Sequence, residues 1–135
     1  VVFSSAMVDR EKFYLCGGFP KHFLNSLDYY VFLRLARQYQ CMAIQEVCCK
    51  MRVHEGNLSA QQQIIGAQEG VDALREFLPD ESLKPALRMQ YTNLAIMHLR
   101  EKNFSSAMLI LLRHGDLFYF CARLYDALVN VRRYW

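Results

Sequence analysis

The sequence lacks any apolar run long enough to cross a lipid bilayer. A membrane-spanning helix needs about 20 consecutive apolar residues, and every candidate segment is interrupted by a charge, at Arg34, Arg37, Lys50 or Arg100. The opening Val1-Val2-Phe3 is too short for the apolar core of a signal peptide, and no basic segment precedes it. We therefore expect a chain without a membrane span that works inside the cell, in the cytoplasm or the nucleus.

An excess of charge of one sign is also missing. The chain carries 16 Lys and Arg residues against 13 Asp and Glu residues, and its basic residues are scattered. Nucleic-acid-binding domains collect basic residues into a patch or stripe, so this balance disfavours a nucleic-acid partner. The alternative function is a helical nucleic-acid-binding domain. Its affinity would fall steeply with salt, and its phosphate contacts would be Arg34, Arg37, Lys50 and Arg52.

The residue spacings of metal and phosphate sites are absent as well. The sequence has no Cys-x-x-Cys, no His-x-x-x-His and no Glu-x-x-His pair, which are spacings that hold zinc and related ions. Gly17-Gly18 and the pair Gly66 and Gly70 lack the preceding strand and the following Lys-Ser/Thr of a phosphate-binding loop. We expect neither a metal nor a cofactor.

The five cysteines do not form the pattern of a disulfide framework. Their number is odd, so a secreted chain would leave one thiol unpaired. Cys41, Cys48 and Cys121 lie among apolar residues in segments with helical spacing, and we expect buried, reduced thiols. A thiol-dependent enzyme is the second alternative. Its best candidate is Cys49, which has Lys50 and other basic residues nearby but no nucleophile motif around it.

Glycine and proline are scarce, and residues 24–54 contain neither. Apolar residues recur at helical spacing through most of this stretch, which indicates either one long helix or two helices. We favour two helices with a turn near residues 38–41, because a helix averages about 11–12 residues. His54-Glu55-Gly56 closes the element, since glycine readily adopts the left-handed conformation at a helix end.

The first 23 residues contain weaker signals. Ser4 or Ser5 can cap a short helix that runs to Cys16 and ends at Gly17-Gly18. Pro20 suits the first turn of a helix, where its missing N–H is not needed. We therefore predict a second helix that starts at Pro20.

Capping residues predict the helices that follow residue 56. Ser59 and Gln62 have the spacing of a capping box, which predicts a helix over about residues 60–77. Gly66 and Gly70 favour a marginal surface helix there over a close helix crossing.

Ser82 begins the next helix, which has Pro85 in its first turn and runs to Arg100, and Asp116 caps the last helix. No segment beyond the first few residues alternates as a strand would. The count is six or seven helices, which makes the fold class all-α.

Residues 90–115 have the pattern of a helical hairpin, and the rest of the chain is interpreted around them. Two segments with apolar residues at helical spacing are separated only by Glu101-Lys102-Asn103, and so short a connection joins antiparallel helices. Ala95 and Ala107 lie near the middle of the two facing stripes. Small side chains at such positions let helix axes approach to roughly 8–10 Å.

This hairpin resembles a tetratricopeptide repeat, the helix–turn–helix unit of many protein-binding solenoids. Tyr91 stands at the position of the motif's aromatic residue, Asn93-Leu94-Ala95 is similar to its core, and Phe104 is similar to its turn aromatic. Ala107 and Leu111 fill its small and large positions in the second helix. The resemblance implies antiparallel helical hairpins stacked as an α-solenoid segment, with protein binding as the function.

The resemblance extends toward the end of the chain and also has departures. One repeat length after Tyr91 lies Tyr125, which is in register with it. His98 replaces a usual aromatic residue, His114 replaces a usual small residue, and Gly115 ends the second helix early. We expect residues 1–135 to form a single helical-repeat domain or a fragment of a longer solenoid.

Aromatic and basic residues are concentrated near the end of the chain, where Phe118 and Tyr119 point away from the apolar stripe of the last helix. Tyr, Trp and Arg are enriched in protein interfaces. We therefore expect a non-enzymatic scaffold or complex subunit that binds other protein chains, or the remainder of a longer polypeptide, through a groove or an end face. The expected contact residues are Tyr91, His98, Tyr119, Tyr125, Arg132 and Trp135.

Overall fold

The described residues fold into helices and the segments that connect them. The computed structural model describes residues 3–50, 52, 56 and 62–129, and this part of the chain contains six α-helices, two short 3₁₀ helices (Phe3–Ser5 and Glu81–Leu83) and no strand. The all-α prediction is confirmed. The α-helices are α1 (Arg10–Leu15), α2 (Leu27–Gln38), α3 (Gln63–Arg75), α4 (Lys84–Arg100), α5 (Phe104–His114) and α6 (Leu117–Val129).

The chain divides into two compact units, Val1–Gln62 and Gln63–Trp135. The first unit contains α1 and α2, and the second contains α3 to α6. Each unit has its own buried residues. The expectation of one helical-repeat domain with stacked hairpins stays a prediction.

Helix α1 begins at an aspartate and ends at two glycines. Asp9 Oδ1 accepts a hydrogen bond from Lys12 N at 3.0 Å and caps the helix. The predicted cap at Ser4 or Ser5 is therefore wrong, because both serines lie in the preceding 3₁₀ helix. The predicted end is confirmed: Gly17-Gly18 has φ values of 88° and 62°, a left-handed conformation that glycine adopts without steric cost.

The core of the first unit lies between α1 and α2. Cys16, Val31 and Leu35 are buried together there. The Arg34 guanidinium lies 5.6 Å from the centre of the Tyr30 ring. Arg34, which the nucleic-acid alternative assigned to a phosphate, thus packs within this unit.

The predicted helices on either side of α2 are wrong. Residues 20–26 are not helical, and α2 begins at Leu27 instead of Pro20. Phe23 is buried in this segment with its ring 5.1 Å from that of Tyr30, so tertiary packing overrides the weak local signal at Pro20.

The predicted helix end near residues 38–41 is confirmed, because α2 ends at Gln38. The second helix that was predicted to follow is absent from residues 40–50, which are not helical. Met42 and Val47, both on the predicted apolar stripe or beside it, are each 89% exposed. Helices in proteins are stabilised mainly by burial of an apolar face, and the large apolar side chains of this segment, Met42, Ile44 and Val47, are exposed. His54 lies outside the described residues, and Gly56 is in a turn.

The cysteines differ from the prediction in burial but not in oxidation state. All five are free. Cys16 is buried, but the predicted burial of Cys41, Cys48 and Cys121 is wrong, because all three are exposed. The first two lie in the non-helical segment, and Cys121 lies on the exposed side of α6. Cys49 is half-buried.

The second unit is built around the predicted hairpin, which is confirmed. Helices α4 and α5 are joined by residues 101–103, and Asn103 Oδ1 caps α5 by accepting a hydrogen bond from Ser106 N at 3.2 Å. Ala95 and Ala107 are fully buried, as the prediction of closely packed helices requires. Helix α4 packs against α3 as well as α5, and it also contacts α6.

Helix α3 is a core helix, so the prediction of a marginal surface helix is wrong. Val71, Ala73 and Leu74 are fully buried. Gly70 is buried too, and a Cβ atom at this position would lie 3.2 Å from Gln90 Oε1 on α4. Gly70 thus lies at the contact between α3 and α4, the helix crossing that was the alternative interpretation of the two glycines. Ser59, the predicted cap of this helix, lies outside the described residues.

Candidate functional site

A cleft of about 320 Å³ lies in the second unit between the first half of α4 and the last turn of α5. We call it the α4–α5 cleft. It forms at the open end of the hairpin, opposite the turn at residues 101–103. It is lined by Lys84, Leu87, Arg88, Tyr91, Leu112, Arg113, His114 and Gly115.

A stacked aromatic pair joins the two helices at this cleft. The Tyr91 and His114 rings lie 4.5 Å apart between centroids, with 21° between their planes. The Arg75 guanidinium on α3 lies 6.0 Å from the centre of the Tyr91 ring. Tyr91 is half-buried, so it is both a packing residue of the hairpin and part of the cleft wall.

Four side chains of the cleft are basic, and two of them have no acidic neighbour. Lys84 is paired with Glu81, three residues before it. Among the residues that the structure describes, no carboxylate pairs with Arg88 or Arg113, and both are exposed. The cleft is therefore lined by two arginines, one from each helix of the hairpin, that no described carboxylate neutralises.

Gly115 closes the cleft at the end of α5. Its N–H donates to Ile110 O and Leu111 O, each at 3.1 Å. A Cβ atom at Gly115 would lie 2.9 Å from both Leu111 Cα and Leu111 Cδ2. The chain thus turns so tightly here that no side chain fits, which is the packing reason for the early end of this helix.

Thr92 fixes the corner between α5 and α6 against α4. Its hydroxyl donates to Arg88 O at 2.9 Å and accepts from Asp116 N at 2.8 Å. Asp116 Oδ1 in turn accepts from Tyr119 N at 2.9 Å, which confirms the predicted cap of the last helix. Thr92 is fully buried, so this link is shielded from water.

Helix α6 exposes several apolar side chains along one stretch. Leu117 is 61% exposed, Phe118 is 87% exposed and Tyr125 is 67% exposed. Phe118, Cys121 and Tyr125 are spaced three and four residues apart, so they follow one side of the helix. We call Leu117, Phe118, Cys121 and Tyr125 the α6 face.

The predicted contact residues are distributed over the second unit. Tyr91 lines the cleft, and Tyr125 lies on the α6 face. Tyr119 is half-buried and its hydroxyl donates to Asn93 Oδ1 at 3.5 Å. His98 is half-buried outside the cleft lining, and its Nδ1 atom is buried without a hydrogen-bond partner among the described residues. Arg132 and Trp135 lie outside the described residues.

The sequence analysis missed the basic residues of the cleft. Arg88 and Arg113 are far apart in the chain, and neither belongs to a motif. The pairing of the two helices in the hairpin could have indicated them, because Tyr91 and His114 lie almost the same number of residues before and after Lys102 in the turn. Antiparallel helices bring such positions side by side.

Two other features are absent from the described part of the chain. No helix there is both long enough and apolar enough for a membrane span. No three His, Cys, Asp or Glu side chains are grouped as a metal site in that part either.

Comparison with known proteins leaves the chain without an assigned relative. No family model, no curated protein and no solved structure matches it.

Proposed function

We propose that this chain is a non-enzymatic protein–protein interaction module of the helical-repeat type, similar to tetratricopeptide repeats. It would serve as a scaffold or subunit that holds a partner helix or peptide. The observation that carries the proposal is the exposure of the α6 face, where Phe118 is 87% exposed. Single exposed apolar residues are common, but a contiguous set indicates an interaction site.

The chemistry of the α6 face suits a protein partner. Phe and Tyr each bury about 150–250 Å² when they are covered, and burial of apolar surface contributes roughly 25 cal/mol per Å². Because Phe118, Cys121 and Tyr125 lie in a row along the helix, a second helix or an extended segment could cover all three at once. Aromatic residues of this kind often dominate the binding energy of an interface.

The hairpin geometry supports the helical-repeat part of the proposal. Ala95 and Ala107 are fully buried at the positions where tetratricopeptide repeats have small residues. Helix α6 follows the hairpin and contacts α4, as the first helix of a next repeat would. Stacked repeats bury their stripes against each other and leave a groove or an end face for a partner.

An intracellular location is part of the same proposal. The five cysteines are free, and several are exposed. Exposed free thiols persist in the reducing cytosol and nucleus, whereas secreted proteins tend to pair them.

The proposal can be tested by site-specific photo-crosslinking in the cells that express the protein. A benzophenone amino acid would replace Phe118, Tyr125 or, as a matched control, Glu101, which is exposed in the hairpin turn. We expect Phe118 and Tyr125 to yield an adduct with the same protein, identified by mass spectrometry, and Glu101 to yield none. Equal adducts at all three positions, or none at any, would refute an interaction through the α6 face.

A further inference from the structure

We infer that the α4–α5 cleft binds a phosphorylated side chain of a partner peptide. This inference rests on the proposed function, because it names the chemistry of a partner that the module would hold. The carrying observation is that two arginines from different helices, Arg88 and Arg113, line one cleft, and no carboxylate is paired with either among the described residues.

The charge of the cleft fits a phosphomonoester. A phosphorylated side chain carries about −1.5 to −2 charges near pH 7, which two unneutralised guanidinium groups would balance. A carboxylate carries a single charge and would leave one arginine uncompensated. Arginine also suits phosphate geometrically, because its planar group donates two parallel hydrogen bonds to phosphate oxygens.

The nearby acidic groups do not neutralise these arginines. Glu81 is paired with Lys84. Asp116 follows Gly115 directly, but its Oδ1 atom caps α6 and its residue does not line the cleft. The nearest acidic side chains along the chain therefore have other partners.

The size and the lining of the cleft favour one side chain of a partner peptide together with the residues next to it. A volume of about 320 Å³ is at the small end of the roughly 300–1,000 Å³ range of ligand pockets. Leu87 and Leu112 give it an apolar part beside the basic groups. A phosphorylated residue that is flanked by an apolar residue would use both kinds of surface.

The same geometry disfavours a nucleic-acid strand in this cleft. Single-stranded nucleic acid is bound by base stacking on free aromatic faces together with basic side chains. The aromatic ring of the cleft, Tyr91, already has His114 stacked at 4.5 Å and the Arg75 guanidinium 6.0 Å from its centre. Base stacking would require displacement of these groups.

The helix dipole accounts for only some of the basic residues that line the cleft. Arg113 and His114 lie in the last turn of α5, where positive charge interacts favourably with the helix dipole. Arg88 lies in the first half of α4, where positive charge gains nothing from the dipole. The helix dipole therefore does not account for Arg88.

Fluorescence anisotropy with a labelled peptide would test the inference. The probe is a short peptide with one phosphoserine flanked by leucines, and the matched peptides carry serine or glutamate at that position. A charged hydrogen bond to phosphate contributes enough free energy to raise the affinity about tenfold or more. We therefore expect the phosphopeptide to bind at least tenfold more tightly than either matched peptide, and inorganic phosphate to compete.

Variants of the full chain test whether the phosphopeptide binds in the α4–α5 cleft. The double variant Arg88→Gln and Arg113→Gln should weaken phosphopeptide binding at least tenfold, as two charged contacts are lost. Lys102→Gln removes one positive charge at the other end of the hairpin, roughly 20 Å from Arg88 along the helix at 1.5 Å per residue, and should change binding by less than about twofold. Thermal unfolding by circular dichroism checks that each variant folds.

Three results would overturn the inference. The glutamate peptide could bind as tightly as the phosphopeptide, the double variant could bind normally, or single-stranded oligo-uridine RNA could bind more tightly with the same dependence on the two arginines. The proposed function fails separately, by loss of the crosslinks at Phe118 and Tyr125. Crosslinks without phosphopeptide binding would refute the inference alone.

Discussion

Residues 90–114 and residues 40–50 share a sequence pattern but differ in structure. Both segments have apolar residues at helical spacing, and neither contains glycine or proline. The first segment forms most of α4 and all of α5, whereas the second is not helical. The helical pattern therefore did not by itself determine the backbone conformation.

The difference lies in what the apolar side chains contact. In the hairpin, Leu94, Ala95 and Ala107 are buried in the core of the second unit. Met42 and Val47 are almost fully exposed. Because the first turn of a helix is costly to form and isolated helices shorter than about 12–15 residues are marginal, a short segment without a covering surface stays irregular.

The largest expected effect separates these two segments directly. Leu94→Ala should lower the free energy of unfolding of the second unit by about 2–5 kcal/mol, because it leaves a cavity in the core. Val47→Ala should change the free energy of unfolding of the first unit by less than about 0.5 kcal/mol, since that side chain is exposed. Amide hydrogen exchange within α4 would measure the first variant and exchange within α2 the second. A similar loss in the two variants would show that residues 40–50 pack in solution.

A smaller effect is expected where the hairpin closes. Gly115→Ala should destabilise the second unit by about 1–3 kcal/mol, because the added methyl group would overlap Leu111. Urea denaturation followed by circular dichroism would measure the change.

Gly70→Ala is the matched control for that substitution. Its methyl group would meet the end of the flexible Gln90 side chain, which can move, and alanine favours a helix over glycine by about 1 kcal/mol. We expect a change of no more than about 1 kcal/mol in either direction. A larger loss at Gly70 than at Gly115 would contradict the packing described for the two positions.

Helix α6 allows a test of local capping against tertiary packing. Asp116→Ala removes the acceptor of the Tyr119 N–H and should destabilise the start of α6 by about 0.5–2 kcal/mol. Asp116→Asn keeps an acceptor and should destabilise the start of α6 by only a few tenths of a kcal/mol, roughly, because Asn and Asp are similarly favoured as helix caps. Hydrogen exchange of the Tyr119 amide reports both, and equal protection in all three proteins would mean that packing alone holds this end of the helix.

The smallest expected effect concerns the ring pair across the hairpin. A double-mutant cycle of Tyr91→Ala and His114→Ala should give a coupling energy of about 0.5–1.5 kcal/mol, as is typical of stacked aromatic rings. Tyr91 and His98 lie about two turns apart on the same helix, so the control cycle with His98→Ala should give less than about 0.5 kcal/mol. Chemical denaturation of each variant supplies the four values, and equal coupling in both cycles would contradict a direct stack.

Much of the second unit was predictable because its signals are local. The three-residue connection at 101–103, the alanines at 95 and 107 and the cap at Asp116 all depend on neighbouring residues, and each was confirmed. The misplaced helix at Pro20 and the missing helix after Gln38 depend on which surfaces meet in three dimensions. The role of Gly70 depends in the same way on the approach of Gln90.

The candidate site was only partly predictable for the same reason. Tyr91 was expected from its place in the hairpin, and Tyr125 from the aromatic content of the last helix. Arg88 and Arg113 became neighbours of one cleft only through the hairpin register and the corner at Gly115. A charge pattern that is scattered in the sequence can thus be concentrated locally by the fold.

The two hydrogen bonds of Thr92 fix the start of α6 to α4. Its hydroxyl connects the backbone carbonyl of Arg88, a cleft residue, to the amide of Asp116, which caps the helix that carries the α6 face. Because Thr92 is fully buried, the α6 face and the α4–α5 cleft are held in one arrangement within the second unit by a single hydroxyl group.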